Sequence, residues 1–108
     1  MAGAVLTETR VSSWIDRQGG NYREGYVDIS WPDSADHLAA GDSFDTDNFA
    51  PGITLSEMTP VNGGTATYEF VVDLDNAKIL TYARIGGVVV ADTTNLNGLT
   101  QRFYYRGI

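Results

Sequence analysis

The sequence predicts an all-β fold: a small antiparallel β-sandwich or barrel of about seven strands, with at most one short helix. Three observations carry the prediction. Strand-like runs alternate with turn signals about every eight to twelve residues along the chain. Twelve glycines, several in pairs (Gly19-Gly20, Gly63-Gly64, Gly86-Gly87), supply the punctuation. The stretch from Gly64 to Ala83 is written as a β-hairpin, with β-branched and aromatic residues on both sides of Asp75-Asn76-Ala77-Lys78.

In that hairpin Tyr68, Phe70 and Val72 fall on one face, and Glu69, Val71 and Asp73 on the other, because successive side chains of a strand point opposite ways. Asp75 and Asn76 bring the turn chemistry, Asn tolerating positive φ. Before the hairpin, Met1 to Ala4 is small and uncharged and reads as the start of an arm. Val5 to Trp14 alternates as a strand, Asp16 to Asn21 is a turn, and Tyr22 to Trp31 is a second strand with Val27, Ile29 and Trp31 on its inner face. Pro32 stops it, since proline has no N–H to offer a ladder. Ser34 to Ala40 is the one plausible helical turn, closed by Gly41, and Gly41 to Asn48 is a loop or short strand. Ile53 to Val61 reads as a strand with Ile53, Leu55 and Glu57 opposing Thr54, Ser56 and Met58. After the hairpin come a short apolar run, Val88 to Val90, a polar loop, Asp92 to Gly98, and a last strand, Leu99 to Arg106. In that last strand Leu99, Gln101, Phe103 and Tyr105 oppose Thr100, Arg102, Tyr104 and Arg106.

A chain of 108 residues fits a single domain, 1–108, with a short N-terminal arm at residues 1–6. Fourteen acidic and seven basic residues give a net charge of −7, a field that repels phosphate backbones, so no nucleic-acid partner is expected. No apolar run approaches the ~20 residues of a membrane span, so a soluble chain without a membrane partner is expected. The absence of cysteine removes disulfides, thiolate metal sites and cysteine nucleophiles.

Catalysis needs convergent reactive groups. His37 is the sole histidine and sits in a polar Asp-His-Leu segment, where it reads as a solvated or helix-end side chain; none of the six serines lies in a nucleophile motif. The densest set of hard oxygen ligands is Asp42, Asp45, Asp47 and Asn48. Its register is wrong for a calcium loop, with Ala50 where glycine is needed and Ser56 at the closing position, so turn and strand-end carboxylates are the reading preferred. No cofactor, metal or enzyme activity is expected. Arg102, Tyr104 and Arg106 share one face of the last strand, and tyrosine and arginine are the usual anchors of protein interfaces.

The acidic Gly41 to Thr46 stretch, the Pro60 to Gly64 turn, the Thr67 to Tyr82 hairpin and the run Val90 to Thr100 before a final strand together resemble small structural proteins of tailed phages, of the head decoration or cement type. The resemblance covers roughly Gly41 to Ile108. It implies a non-catalytic protein that binds the outer surface of the head beside the major capsid protein, as a homo-oligomer for which a trimer is the class expectation. On that view Val5 and Leu6 of the arm, with Arg102, Tyr104 and Arg106 of the last strand, contact capsid subunits or sister copies. Two alternatives use the same β architecture. One is a tail, baseplate or fibre subunit; the other is a small carbohydrate-binding module, which would set Trp14, Trp31 and tyrosines in an exposed row.

Overall fold

The computed structural model describes residues 3–16 and 22–108. Seven strands form two antiparallel sheets: β1 (Thr7–Asp16), β2 (Tyr22–Ser30), β3 (Asp42–Ser43), β4 (Leu55–Pro60), β5 (Tyr68–Asp73), β6 (Lys78–Ala83) and β7 (Thr100–Gly107). Four of them make a first sheet in the order β1-β2-β7-β4, and three a second in the order β3-β6-β5. The turn expected at Asp16 to Asn21 falls almost wholly outside the described residues, as do Met1 and Ala2.

Alternation along each strand decides which residues form the core. On β2 Gly25, Val27 and Ile29 are buried, and on β7 Gln101, Phe103, Tyr105 and Gly107, as the period of two requires. Across from them the second sheet contributes Phe70 of β5 and Ile79 of β6. Aromatic rings join the layers: Phe70 stacks on Trp31 with centroids 5.1 Å apart and meets Phe103 edge-on at 6.0 Å, while Phe49 meets Tyr105 at 5.2 Å. The sandwich is thus filled by side chains that the alternating pattern singles out.

Two strands depart from simple alternation. On β4, Leu55 opposes Gly107 but Glu57 opposes Arg106, so one extra residue is inserted at Ser56. That bulge resets the faces, leaving Met58 buried and Glu57 exposed, which corrects the expected grouping of Glu57 with Leu55. On β1 a bulge between Arg10 and Ser12 does the same at Val11. Gly25 marks a close approach: a Cβ there would lie 2.2 Å from the Ser12 carbonyl oxygen and 2.6 Å from the Tyr105 hydroxyl.

The expected helical turn at Ser34 to Ala40 does not form. Among the described residues the only helical turns are two 3-10 segments, Thr46–Asn48 and Val61–Gly63. The first is capped by Asp45, whose side chain accepts from the Asp47 amide. Ser34 to Ala40 instead follows an irregular path because its amide and ring donors are drawn to Asp42 and Asp92. The hairpin forms as expected, with Tyr68 opposite Ala83 and Asp73 opposite Lys78. Its positive φ falls on Ala77, at 51°, rather than on Asn76, whose amide and side chain are both held by Asp73. Val88 to Val90 lies along β6, with Val89 bridged to Tyr82.

Candidate binding face and the buried carboxylate

Antiparallel partners point to the same side of a sheet, so the register of β1, β2, β4 and β7 dictates what shares the outer face of the first sheet. Glu24 pairs with both Trp14 and Arg106, Tyr26 with Ser12 and Tyr104, Asp28 with Thr9 and Arg102, and Glu57 with Arg106. The side chains interlock as the register demands. Trp14 and Tyr26 lie 5.9 Å apart, and Tyr26 and Tyr104 6.0 Å, giving a row of three aromatic rings across three strands. Glu24 accepts from the Trp14 indole Nε1 at 2.7 Å and the Tyr104 hydroxyl at 2.6 Å, and pairs with Arg106 at 3.4 Å. Arg106 also stands 4.1 Å above the Tyr22 ring. Arg102 grips Asp28 through Nε at 2.9 Å and a terminal nitrogen at 3.2 Å, a fork that fixes its plane.

The electrostatics follow from these contacts. Burial, then the hydrogen bond to the Glu24 carboxylate and its charge, push the Tyr104 hydroxyl up to about 12, so it stays a donor. The bond to Asp28 likewise raises Arg102 above its ordinary value. The face is a rigid, pre-oriented array of Trp, Tyr and Arg, chemically suited to meeting another macromolecule.

Of the residues singled out by sequence, Arg102, Tyr104 and Arg106 therefore stand together. Val5 is 81% exposed, whereas Leu6 is 6% exposed and packs in the core with Ala4. The segment from Gly3 to Leu6 is not a loose arm, because the Ala4 amide is anchored 3.1 Å from Asp42 Oδ1. A shallow groove of about 360 Å³ runs beside it, with Val5 and Phe44 on its apolar side and Glu8, Asp45 and Asn48 at its polar end. Burial raises Glu8 above the usual carboxylate range, against the hydrogen bond it accepts from Asn48.

Asp42 is the main internal correction. Rather than joining Asp45 and Asp47 as a surface carboxylate, it is completely buried and accepts four hydrogen bonds. Oδ1 takes the amides of Ala4 and Leu38, both at 3.1 Å; Oδ2 takes Trp31 Nε1 at 3.0 Å and His37 Nδ1 at 2.6 Å. His37 is 1% exposed, not solvated, and its Nε2 faces the Val90 carbonyl at 3.1 Å. Both ring nitrogens thus lie within hydrogen-bonding distance of an oxygen, the Asp42 carboxylate on one side and the Val90 carbonyl on the other. No group of three or more His, Cys, Asp or Glu placed to hold a metal occurs among the described residues.

Sequence reading placed Arg102, Tyr104 and Arg106 on one face but missed Glu24, Asp28, Tyr22 and Tyr26 as their partners. The alternation of Tyr22, Glu24, Tyr26 and Asp28 against Val27 and Ile29 was the available signal. Comparison with protein-family models, with curated proteins and with solved structures gives no match.

Proposed function

We propose that this chain is a non-catalytic structural protein of a tailed-phage particle, a head decoration protein that docks on the major capsid protein through the outer face of the β1-β2-β7-β4 sheet. The observation that carries the reading is the side-by-side presentation of Trp14, Tyr26, Tyr104, Arg102 and Arg106 on three hydrogen-bonded strands. Trp, Tyr and Arg dominate binding energy at protein interfaces, and pre-oriented side chains lose little entropy when a partner arrives. Two further observations support it. The one histidine is buried and hydrogen-bonded to Asp42 and the Val90 carbonyl, and the net charge of −7 suits a protein on the outside of a shell rather than against packaged DNA. Val5 is the exposed candidate contact from the N-terminal segment.

The test is quantitative mass spectrometry of purified virions together with rebinding of variants. A copy number within a few-fold of the major capsid protein, lost in Trp14→Ala and Arg106→Ala variants that still fold, is the expected result. A copy number of a small percentage moves the protein to the tail or baseplate, and rebinding unaffected by both variants overturns the docking face.

A carbohydrate-binding reading has one observation in its favour: the row of Trp14, Tyr26 and Tyr104 beside the Glu24 carboxylate. Trp31 takes no part in that row, being 4% exposed and in the core. A glycan array read against a Trp14→Ala control distinguishes the two.

A further inference from the structure

The opposite side of the molecule carries a second surface, the outer face of the β3-β6-β5 sheet, whose apolar centre lies between charged ends. Alternation on β5 and β6 turns Phe70, Val72, Ile79 and Thr81 inward, which leaves Glu69, Val71 and Asp73 of β5 and Lys78, Leu80 and Tyr82 of β6 facing out. Val71 is 52% exposed and pairs with Leu80; Val89, bridged to Tyr82, is 37% exposed. At the end of the hairpin the turn past Arg84 holds Ile85 at 94% and Val88 at 66% exposure. Exposed aliphatic side chains grouped on one sheet face and at the end of its hairpin are the kind of surface that a protein partner covers.

The charges on this face are segregated by strand. β5 reads Glu69, Val71, Asp73, acidic at both ends with an apolar centre. β6 reads Lys78, Leu80, Tyr82, with the chain's only lysine at one end and a phenol donor at the other. Lys78 makes no ion pair among the described residues: Asp73, directly opposite, instead accepts from the Asn76 amide and side chain. Glu69 keeps only a loose pair to Arg84 at 3.5 Å, and the Arg84 guanidinium is turned away to the carbonyls of Thr65 and Asn62.

We infer that this face is the interface with a second copy of the chain, packed sheet to sheet about a two-fold axis parallel to β5 and β6. Such an axis lays β5 of each copy over β6 of the other. Asp73 then meets Lys78 of the second copy, Val71 meets Leu80, and Glu69 meets the Tyr82 hydroxyl, each contact occurring twice as an isologous interface requires. The axis perpendicular to the strands would instead set Glu69 over Asp73, acid on acid. Aligned stacking of sheets about 10 Å apart is an ordinary packing mode, and the axis leaves the exposed Ile85 and Val88 of both copies at the same end of the dimer. A contact confined to one two-stranded hairpin per copy belongs at the small end of specific interfaces, on the order of 1,000 Å² in total, so the dimer is a weak one. The inference goes beyond the proposed function and does not depend on it, since the two faces lie on opposite sides of the sandwich.

Sedimentation equilibrium of the full chain from micromolar to millimolar concentration tests it. The wild type is expected to pass from monomer to dimer across that range. Val71→Lys, at a half-exposed position that costs the fold little, is expected to stay monomeric with an unchanged melting curve. Lys78→Glu alone and Asp73→Lys alone each place like charges at both symmetry-related contacts and are expected to be monomeric, whereas their equimolar mixture is expected to dimerise, because both contacts become opposite again. Should Asp73→Lys fail to fold through loss of its bonds to Asn76, Val71→Lys and Lys78→Glu still decide the matter. A wild type that remains monomeric at millimolar concentration, a trimer, or a dimer indifferent to Val71→Lys overturns the inference. So does a monomer whose binding to virions requires Val71, which would assign this face to the shell.

Discussion

Replacing Asp42 separates two kinds of loss at one buried carboxylate. Asp42→Ala strands four donors at once: the amides of Ala4 and Leu38, the Trp31 indole N–H and the His37 ring. Each buried donor left without a partner costs about 1–3 kcal/mol, so the four together cost at least about 4 kcal/mol. At about 4–8 °C per kcal/mol for a domain of this size, the melting temperature should fall by roughly 15–30 °C, a large part of a total stability of about 5–15 kcal/mol. Asp42→Asn is gentler for a reason visible in the geometry. The amide oxygen can keep Ala4 and Leu38, and its NH2 can donate to His37 Nδ1 if the ring shifts to the tautomer that donates from Nε2 to the Val90 carbonyl. Only the Trp31 indole N–H is then left facing a donor, at a cost of about 1–3 kcal/mol. Thermal and urea melts followed by far-UV dichroism, with Trp31 fluorescence as a local probe, should rank wild type above Asp42→Asn above Asp42→Ala. Melting of Asp42→Ala within about 5 °C of wild type, a shift of only about 1 kcal/mol, would refute the reasoning.

Three other outcomes follow from the same geometry. Gly25→Ala drives a Cβ against the Ser12 carbonyl oxygen, which is backbone and cannot rotate away, so the unfolding free energy from urea melts should drop by more than about 2 kcal/mol. The folded pKa of Tyr104, about 12, lies above its unfolded value near 10; the folded chain therefore holds the proton longer, and stability is lost as pH rises between the two. An ultraviolet titration should show Tyr104 and the fully buried Tyr105 both ionising late, and Glu24→Gln should bring Tyr104 alone back toward the rest. Glu8, raised by burial with the Asp45 charge adding to it, opposes folding when ionised. Glu8→Gln should accordingly raise the melting temperature at neutral pH, and the gain should vanish once acidification has neutralised Glu8 in the wild type.

The fold was legible where alternation was uninterrupted. Tyr22 to Ser30, Tyr68 to Ala83 and Thr100 to Gly107 form strands whose inner faces are the ones their patterns mark. Reading failed where a bulge resets the count, at Ser56, because a one-residue insertion shows only against the partner strand. It failed again at His37 and Asp42, five residues apart in a stretch that looks polar and solvated. Their burial depends on Ala4, Trp31 and Val90, and no local window contains all of those. On the binding face, Arg102, Tyr104 and Arg106 were visible as one side of a strand. Their partners Glu24 and Asp28 lie more than 70 residues earlier and become neighbours only through the β2–β7 register.

That register governs how the molecule can be made. β7 lies between β2 and β4, pairing with Arg23 to Ser30 on one side and with Leu55 to Pro60 on the other, although both precede it in the chain. A growing chain can close the β5–β6 hairpin locally, but β2 and β4 must wait, each with an open backbone edge, until β7 has been made. Such long-range pairing slows folding and leaves aggregation-prone edges exposed meanwhile. A chain truncated before Thr100 would lose not one strand but the junction of the first sheet, and a β7 peptide supplied in trans should compete for the gap between β2 and β4.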